Sequence, residues 1–464
     1  ELTSETSTES ETTAGPSGSD SDSETSKPTT DSTSDSETDP TDPTETTETT
    51  ETTDATTTET DSETDSTTEE PAVCGNGELE DGEECDDGDQ IDKNACSNSC
   101  TKVPCEEQES GGMQDVLSFI WIANSSQGTV SKINTQTMVE EGRYIVRPDS
   151  AGNPSRTSVS LNGDVVVANR AGGIVKIISN TENCIESNGM PDIQTSSGGN
   201  DILPWGTEEC IAWYVPFDYQ TQRPVTWTQG VLNEDTCEYE DPKVWTSGRY
   251  GAGTADVLLL DGETGMVEGT AQVPSVGWAG LYGGSVDGDG NFWTVDHNWN
   301  GPSTMVQVNR ETLEVSTYPV EGGVHYGLAV DAKGRPWLCG NGGASRFDPM
   351  MGTWQHLAPT PGNALGGCMT DGAGTLWHSR YPQAVLVGID TESLAVVDEI
   401  PIPNYVHGVS IDFEGNVWGV TFGSNEAYRV NPETHEYDTF SGLVGAYTYS
   451  DMTGFALSSA GTIE

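Results

Sequence analysis

The sequence predicts an all-β protein: a seven-bladed β-propeller closed by a C-terminal strand, preceded by a small disulfide-rich module and a disordered acidic stalk. Three observations carry this expectation. A phrase of strand, Asp-x-x-Gly turn and strand recurs as GGSVDGDGNFWTV (283–295), YGLAVDAKGRPWLC (326–339), GGCMTDGAGTLWHS (366–379) and HGVSIDFEGNVWGV (407–420). Its Trp residues at 293, 337, 377 and 418 are spaced by 337−293=44, 377−337=40 and 418−377=41, the length of one four-stranded blade. Upstream of the repeats, five of the ten cysteines crowd into 74–105, behind a long stretch of Thr, Ser, Glu and Asp.

Residues 1–72 contain one basic residue, Lys27, and Leu2 as the one large aliphatic outside the Val73 boundary. Such a segment buries too little apolar surface to offset its conformational entropy, and like charges extend it. The expectation is a solvated stalk, a candidate for O-glycosylation. A formal charge of −58, from 76 acidic against 18 basic residues, excludes a nucleic-acid partner and disfavours anionic lipid. No apolar run is long enough for a membrane-spanning helix.

The module, 73–110, has cysteines among Gly, Asp and Asn and almost nothing apolar, so disulfides or a metal must hold it. It has neither His nor CxxC, which favours oxidised pairs over zinc and an extracytoplasmic compartment. Its phrases CGNG (Cys74–Gly77), GEECDDG (Gly82–Gly88) and the Cys96–Cys100 pair resemble the myxobacterial cysteine-rich repeat, and that resemblance implies a bacterial cell-surface or secreted protein. Asp86, Asp87, Asp89 and Asp92 crowd between Cys85 and Cys96, an oxygen-rich loop suited to calcium. Glu186, Asn188 and Asp192 form a weaker acidic group.

The propeller, 115–464, is expected to have blades at 118–145, 155–217, 224–273, 280–320, 325–358, 364–401 and 405–440. The Asp and Gly of each phrase serve a tight turn, and the Trp should pack between blades. Blade 1 lacks an inner strand, and DMTGFALSSAGTIE (451–464) reads as the strand and turn that supply it, which would close the ring. Asp287, Asp289 and Asn291 mimic the start of a calcium loop but sit in a hairpin turn without its closing Glu. Cys184 and Cys210 bracket an insertion and would staple it, and Cys339 and Cys368 lie in adjacent blades. The odd counts left over, five in the module and three around the insertion, suggest a bridge from Cys105 to Cys237.

The four clear phrases resemble those of the streptogramin lyase (virginiamycin B lyase) family and, more loosely, NHL repeats. That resemblance implies a magnesium-dependent site at the channel mouth, built from an acid three residues after the blade Trp and from His at inner-strand starts. The matching positions here are Asn124, Asn169, Asp296, Gly340, Arg380 and Thr421, of which Asp296 alone keeps the acid. With His297, His325, His378, Arg380 and His407 it forms the candidate ligand-binding rim. The leading expectation is a binding or scaffolding module displayed on its stalk, with lipid anchoring upstream of Glu1 and an extracellular protein or glycan as partner. The alternative is a lyase-like enzyme at the rim.

Overall fold

The structure, a computed structural model, describes residues 73–108, 117–251, 253–297, 302–322, 326–340, 343–357, 366–422 and 424–463. The stalk expectation for 1–72 and the candidate His325 therefore lie outside the described residues. The chain divides into units 1–69 and 70–464, and every described residue belongs to the second.

Seven antiparallel sheets follow one another along the chain and make an all-β propeller. Blade 1 begins at Phe119–Asn124, blade 2 at Pro154–Val159, blade 3 at Thr221–Trp227 and blade 4 at Leu281–Val286. Blade 5 begins at Gly327–Val330, blade 6 at Cys368–Thr370 and blade 7 at Val406–Ile411. The 127-residue gap from Val166 to Trp293 (293−166=127) holds one blade with a hairpin, Val231–Asn233 and Glu238–Glu240, inserted after its first strand.

The repeat phrase has a local chemical cause. In blades 4, 5 and 7 the Asp carbonyl accepts the Gly N–H three residues on (Gly290 to Asp287, Gly334 to Asp331, Gly415 to Asp412, 2.9–3.0 Å), with each Gly at positive φ. The Asp carboxylate turns inward and accepts the indole N–H of the blade Trp: Trp293 to Asp287 at 2.8 Å, Trp337 to Asp331 at 2.9 Å, Trp418 to Asp412 at 2.8 Å. Asp and Trp six residues apart thus lock the turn to the second strand, and burial of Trp293, Trp337 and Trp418 joins neighbouring blades. Asp287 is accordingly a turn residue, holding the N–H groups of Asp289 and Asn291.

All ten cysteines are paired: Cys74–Cys100, Cys85–Cys96, Cys105–Cys237, Cys184–Cys210 and Cys339–Cys368. The Cys105 bridge, with a Lys102–Asp235 ion pair at 2.5 Å, ties the module to the hairpin of blade 3.

The ring closes on blade 1, but not with the residues expected. The stretch 446–452 runs beside Phe119–Asn124, with Tyr447 N–H on Ala123 O (3.2 Å) and Trp121 N–H on Met452 O (2.8 Å). The following residues are a short helix, Phe455–Ser459, rather than a turn and strand. The cause is Asp451, whose carboxylate accepts the N–H groups of Gly454 (2.9 Å) and Leu457 (3.0 Å) and coils the chain back on itself. The tail then crosses the Asp-x-x-Gly end of the channel. Gln229 of blade 3 binds Leu457 O, Gly288 of blade 4 binds Gly461 O (2.7 Å), and Gly461 N–H binds Asp331 O of blade 5.

Candidate functional site

Inner strands run from the channel mouth to the Asp-x-x-Gly turns, so the residue five positions before each turn Asp lies at the mouth. Those residues are Tyr282 (287−5), Tyr326 (331−5), Gly366 (371−5) and His407 (412−5). Arg156 and Arg223 occupy the inner strands of blades 2 and 3, and Tyr447 and Tyr449 come from the closing stretch.

Three phenols meet on the axis. Tyr282 and Tyr326 hydroxyls lie 3.2 Å apart, Tyr282 and Tyr447 3.0 Å, and Tyr326 and Tyr447 2.5 Å. His407 Nε2 lies 2.9 Å from the Tyr326 hydroxyl, and its Nδ1 lies 3.1 Å from that of Tyr405. His297 packs on the Tyr282 ring, centroids 4.7 Å apart, and stands perpendicular to the Tyr326 ring with centroids 5.4 Å apart.

Three guanidinium groups surround the phenols. Arg156 Cζ stands 3.2 Å from the Tyr449 ring centroid and 5.0 Å from that of Tyr282; Arg170 stands 4.1 Å from Tyr447, and Arg223 4.9 Å from Tyr282. Burial raises the acid range of all three phenols, and Tyr326 and Tyr447 stay above the ordinary value. At Tyr282 burial is outweighed by Arg156 and Arg223, which pull that phenol below it. Burial likewise lowers Arg156 to about 10. The exposed rings of Phe422, 5.6 Å from Tyr447, and Tyr381, 5.1 Å from Tyr405, edge the mouth.

The rim residues read from sequence separate into two sets. His297 and His407 belong to the tyrosine cluster. Asp296 does not spend its carboxylate there: it accepts the Gly277 N–H at 2.7 Å, and burial raises its pKa. His378 is buried with Nδ1 3.2 Å from Ser379 O, and burial lowers it to about 4. Arg380 pairs with Glu399 at 2.5 Å. The chamber residues Tyr282, Tyr326, Tyr447, Arg156, Arg170 and Arg223 escaped the sequence reading. Counting five residues back from each repeat Asp would have found Tyr282 and Tyr326; Arg170 and Tyr447 carry no such signal.

Among the described residues, the mouth does not offer a ligand set for magnesium. Three cations face it, and among the described residues none of them pairs with a carboxylate; nor does Asp296 join any group of three metal-ligating side chains. In the module, Asp86 accepts four backbone N–H groups, from Gly75, Asn76, Gly77 and Gly88, which outweigh its slight burial and hold the carboxyl below the usual range. Asp89 takes Ile91 N–H and the Asn94 amide, Asp87 takes Asp89 N–H, and Asp92 takes Asn98 N–H. The metal-compatible group there among the described residues is Glu83, Asp86 and Cys100, and the Cys100 sulfur is already bonded to Cys74. Glu186 similarly accepts the N–H groups of Asn188 and Gly189.

No protein-family model matches the chain, and no curated protein matches it. Among solved structures, virginiamycin B lyase from Staphylococcus aureus is similar over 62% of this chain and 84% of its own, at 15% identity and a TM-score of 0.43. Apo AztD from Citrobacter koseri is similar over 71% and 96%, at 10% identity and a TM-score of 0.44. Dihydro-heme d1 dehydrogenase NirN in complex with DHE is similar over 69% and 62%, at 12% identity and a TM-score of 0.45. No residue role is carried across from any of them.

Proposed function

We propose that the chain is an extracytoplasmic binding module, displayed at a cell surface or secreted, whose ligand enters the propeller at the tyrosine–arginine mouth. The single observation that carries this reading is the make-up of the chamber. Its groups are phenols, imidazoles and guanidiniums, which bind and orient, while Asp296, the acid expected at the rim, is committed to a backbone N–H. Five disulfides support the extracytoplasmic setting. The tail lies across the far end, bonded to blades 3 to 5, an arrangement that suits capture rather than passage.

A ligand that binds the folded chain raises its melting temperature with concentration. Thermal-shift screening against small extracellular metabolites should find such a ligand, and Tyr326→Phe with His407→Gln should weaken its effect. A bond-cleaving activity that requires magnesium and disappears in Asp296→Asn would replace this reading with the lyase.

A further inference from the structure

The chain carries 76 acidic and 18 basic residues, so a basic side chain would normally find a carboxylate nearby. Arg335 meets Asp331 and Glu392, Arg429 meets Asp438, and Lys243 meets three acids. Among the described residues, three arginines at the mouth depart from this pattern together. Arg156 is 0% exposed, its Nη1 donates to Ser155 O at 2.8 Å, and its Nε and Nη2 have no hydrogen-bond partner. Arg170 donates Nη1 to Asn153 Oδ1 at 2.9 Å, while its Nε and Nη2 are likewise buried without a partner. Arg223 donates Nε to Thr221 Oγ1 at 3.2 Å. Among the described residues, no Asp or Glu forms an ion pair with any of the three.

A buried cation without a counter-charge is costly, and its compensation has to be an anion or a set of hydrogen-bond acceptors. Here the orphaned groups are donors of positive sign, so the missing partner is an acceptor of negative sign. Planar guanidinium forks match oxyanions, and the phenol hydroxyls add further donors. Phe422, 55% exposed, and Tyr381, 44% exposed, offer ring faces at the entrance. Resting on the reading that the mouth is a binding site, we propose that it binds a small molecule bearing an oxyanion on a ring: the oxyanion lies between Arg156, Arg170 and Arg223, and the ring lies against the aromatic rim.

The test is calorimetric titration of acetate, benzoate, glucuronate and phosphate into the full chain in a zwitterionic buffer of low ionic strength. Benzoate or glucuronate should bind saturably and more tightly than acetate or phosphate. Arg156→Gln and Arg170→Gln should each weaken that binding about tenfold or more, as expected for loss of charge-assisted hydrogen bonds. Arg380→Gln, at a group paired with Glu399, should leave it unchanged. Should Arg156→Gln fail to fold, Arg170→Gln, on a partly exposed side chain, decides alone. The proposal is overturned if no anion binds the wild type, or if Arg170→Gln binds like the wild type. It is also overturned if the wild type shows tyrosinate absorbance at neutral pH that Tyr282→Phe removes, because the chain would then supply its own anion. A neutral ligand displaced by mouth variants, with no anion bound, would sink this inference and leave the binding reading standing; magnesium-dependent turnover would sink that reading itself.

Discussion

Aspartates in the cysteine-rich module and in the blades do the same work in opposite surroundings. Asp86 accepts four backbone N–H groups at the exposed surface of 73–108, while Asp412 accepts the Asn416 N–H at 2.7 Å and the Trp418 indole at 2.8 Å in the interior. Both lie in acidic, glycine-rich phrases. Both turn their oxygens onto the chain. What differs is what stands behind them: a packed Trp and two neighbouring strands in the blade, two disulfides in the module. Identical local chemistry is therefore worth much in one region and little in the other, because a hydrogen bond gains from exclusion of water.

The largest test of that contrast is Asp412→Ala. It strands the buried Trp418 indole and Asn416 donors, at about 1–3 kcal/mol each, so stability to denaturant should fall by roughly 2–6 kcal/mol. Asp86→Ala should leave the global unfolding midpoint unchanged and raise proteolysis within 73–108 alone. Equal losses from both variants would erase the distinction.

The buried imidazole of His378 gives a pH-dependent measure of the blade interior. Its folded pKa, lowered by burial to about 4 from 6.5, means the unfolded chain binds the extra proton between those values. Its contribution is complete above pH 6.5 and is lost as pH falls toward 4, by about 3 kcal/mol in all. Asp451 acts oppositely: burial pushes it up to about 6, so its neutral form favours the fold at low pH. The comparison must therefore be wild type against His378→Gln, whose pH–stability curve should be flatter across this window by about that amount. Parallel curves would show that His378 is protonated in the folded chain.

The smallest effect on global stability should come from reducing the module. Mild reductant is expected to open 73–108 to protease while the blades stay intact, since Cys74–Cys100 and Cys85–Cys96 close a segment with no core. The calcium expectation for Asp86, Asp87, Asp89 and Asp92 is checked in the same digest: added calcium should protect the oxidised module, and equal cleavage with calcium or chelator would dismiss it.

Blade number, blade boundaries and the Cys105–Cys237 bridge were legible in the sequence, because each depends on local period or on parity. Within a blade, Asp, Gly and Trp lie close along the chain, so their bonds leave a pattern that repeats every 40 to 44 residues. The helix at Phe455–Ser459 was not legible, since Asp451 could serve a strand turn or cap a coil equally well, and the docking surface of blades 3 to 5 is remote in sequence. The chamber was hidden for the same reason. Arg156 and Tyr449 touch although 293 residues separate them (449−156=293), and each stands in a phrase that reads as an ordinary strand. Sequence alone determined the ring and the width of its blades, because strand pairing is driven by neighbours. Only ring closure decided which side chains share the axis, because that closure carries residues far apart in sequence into one buried space where charge acquires a meaning.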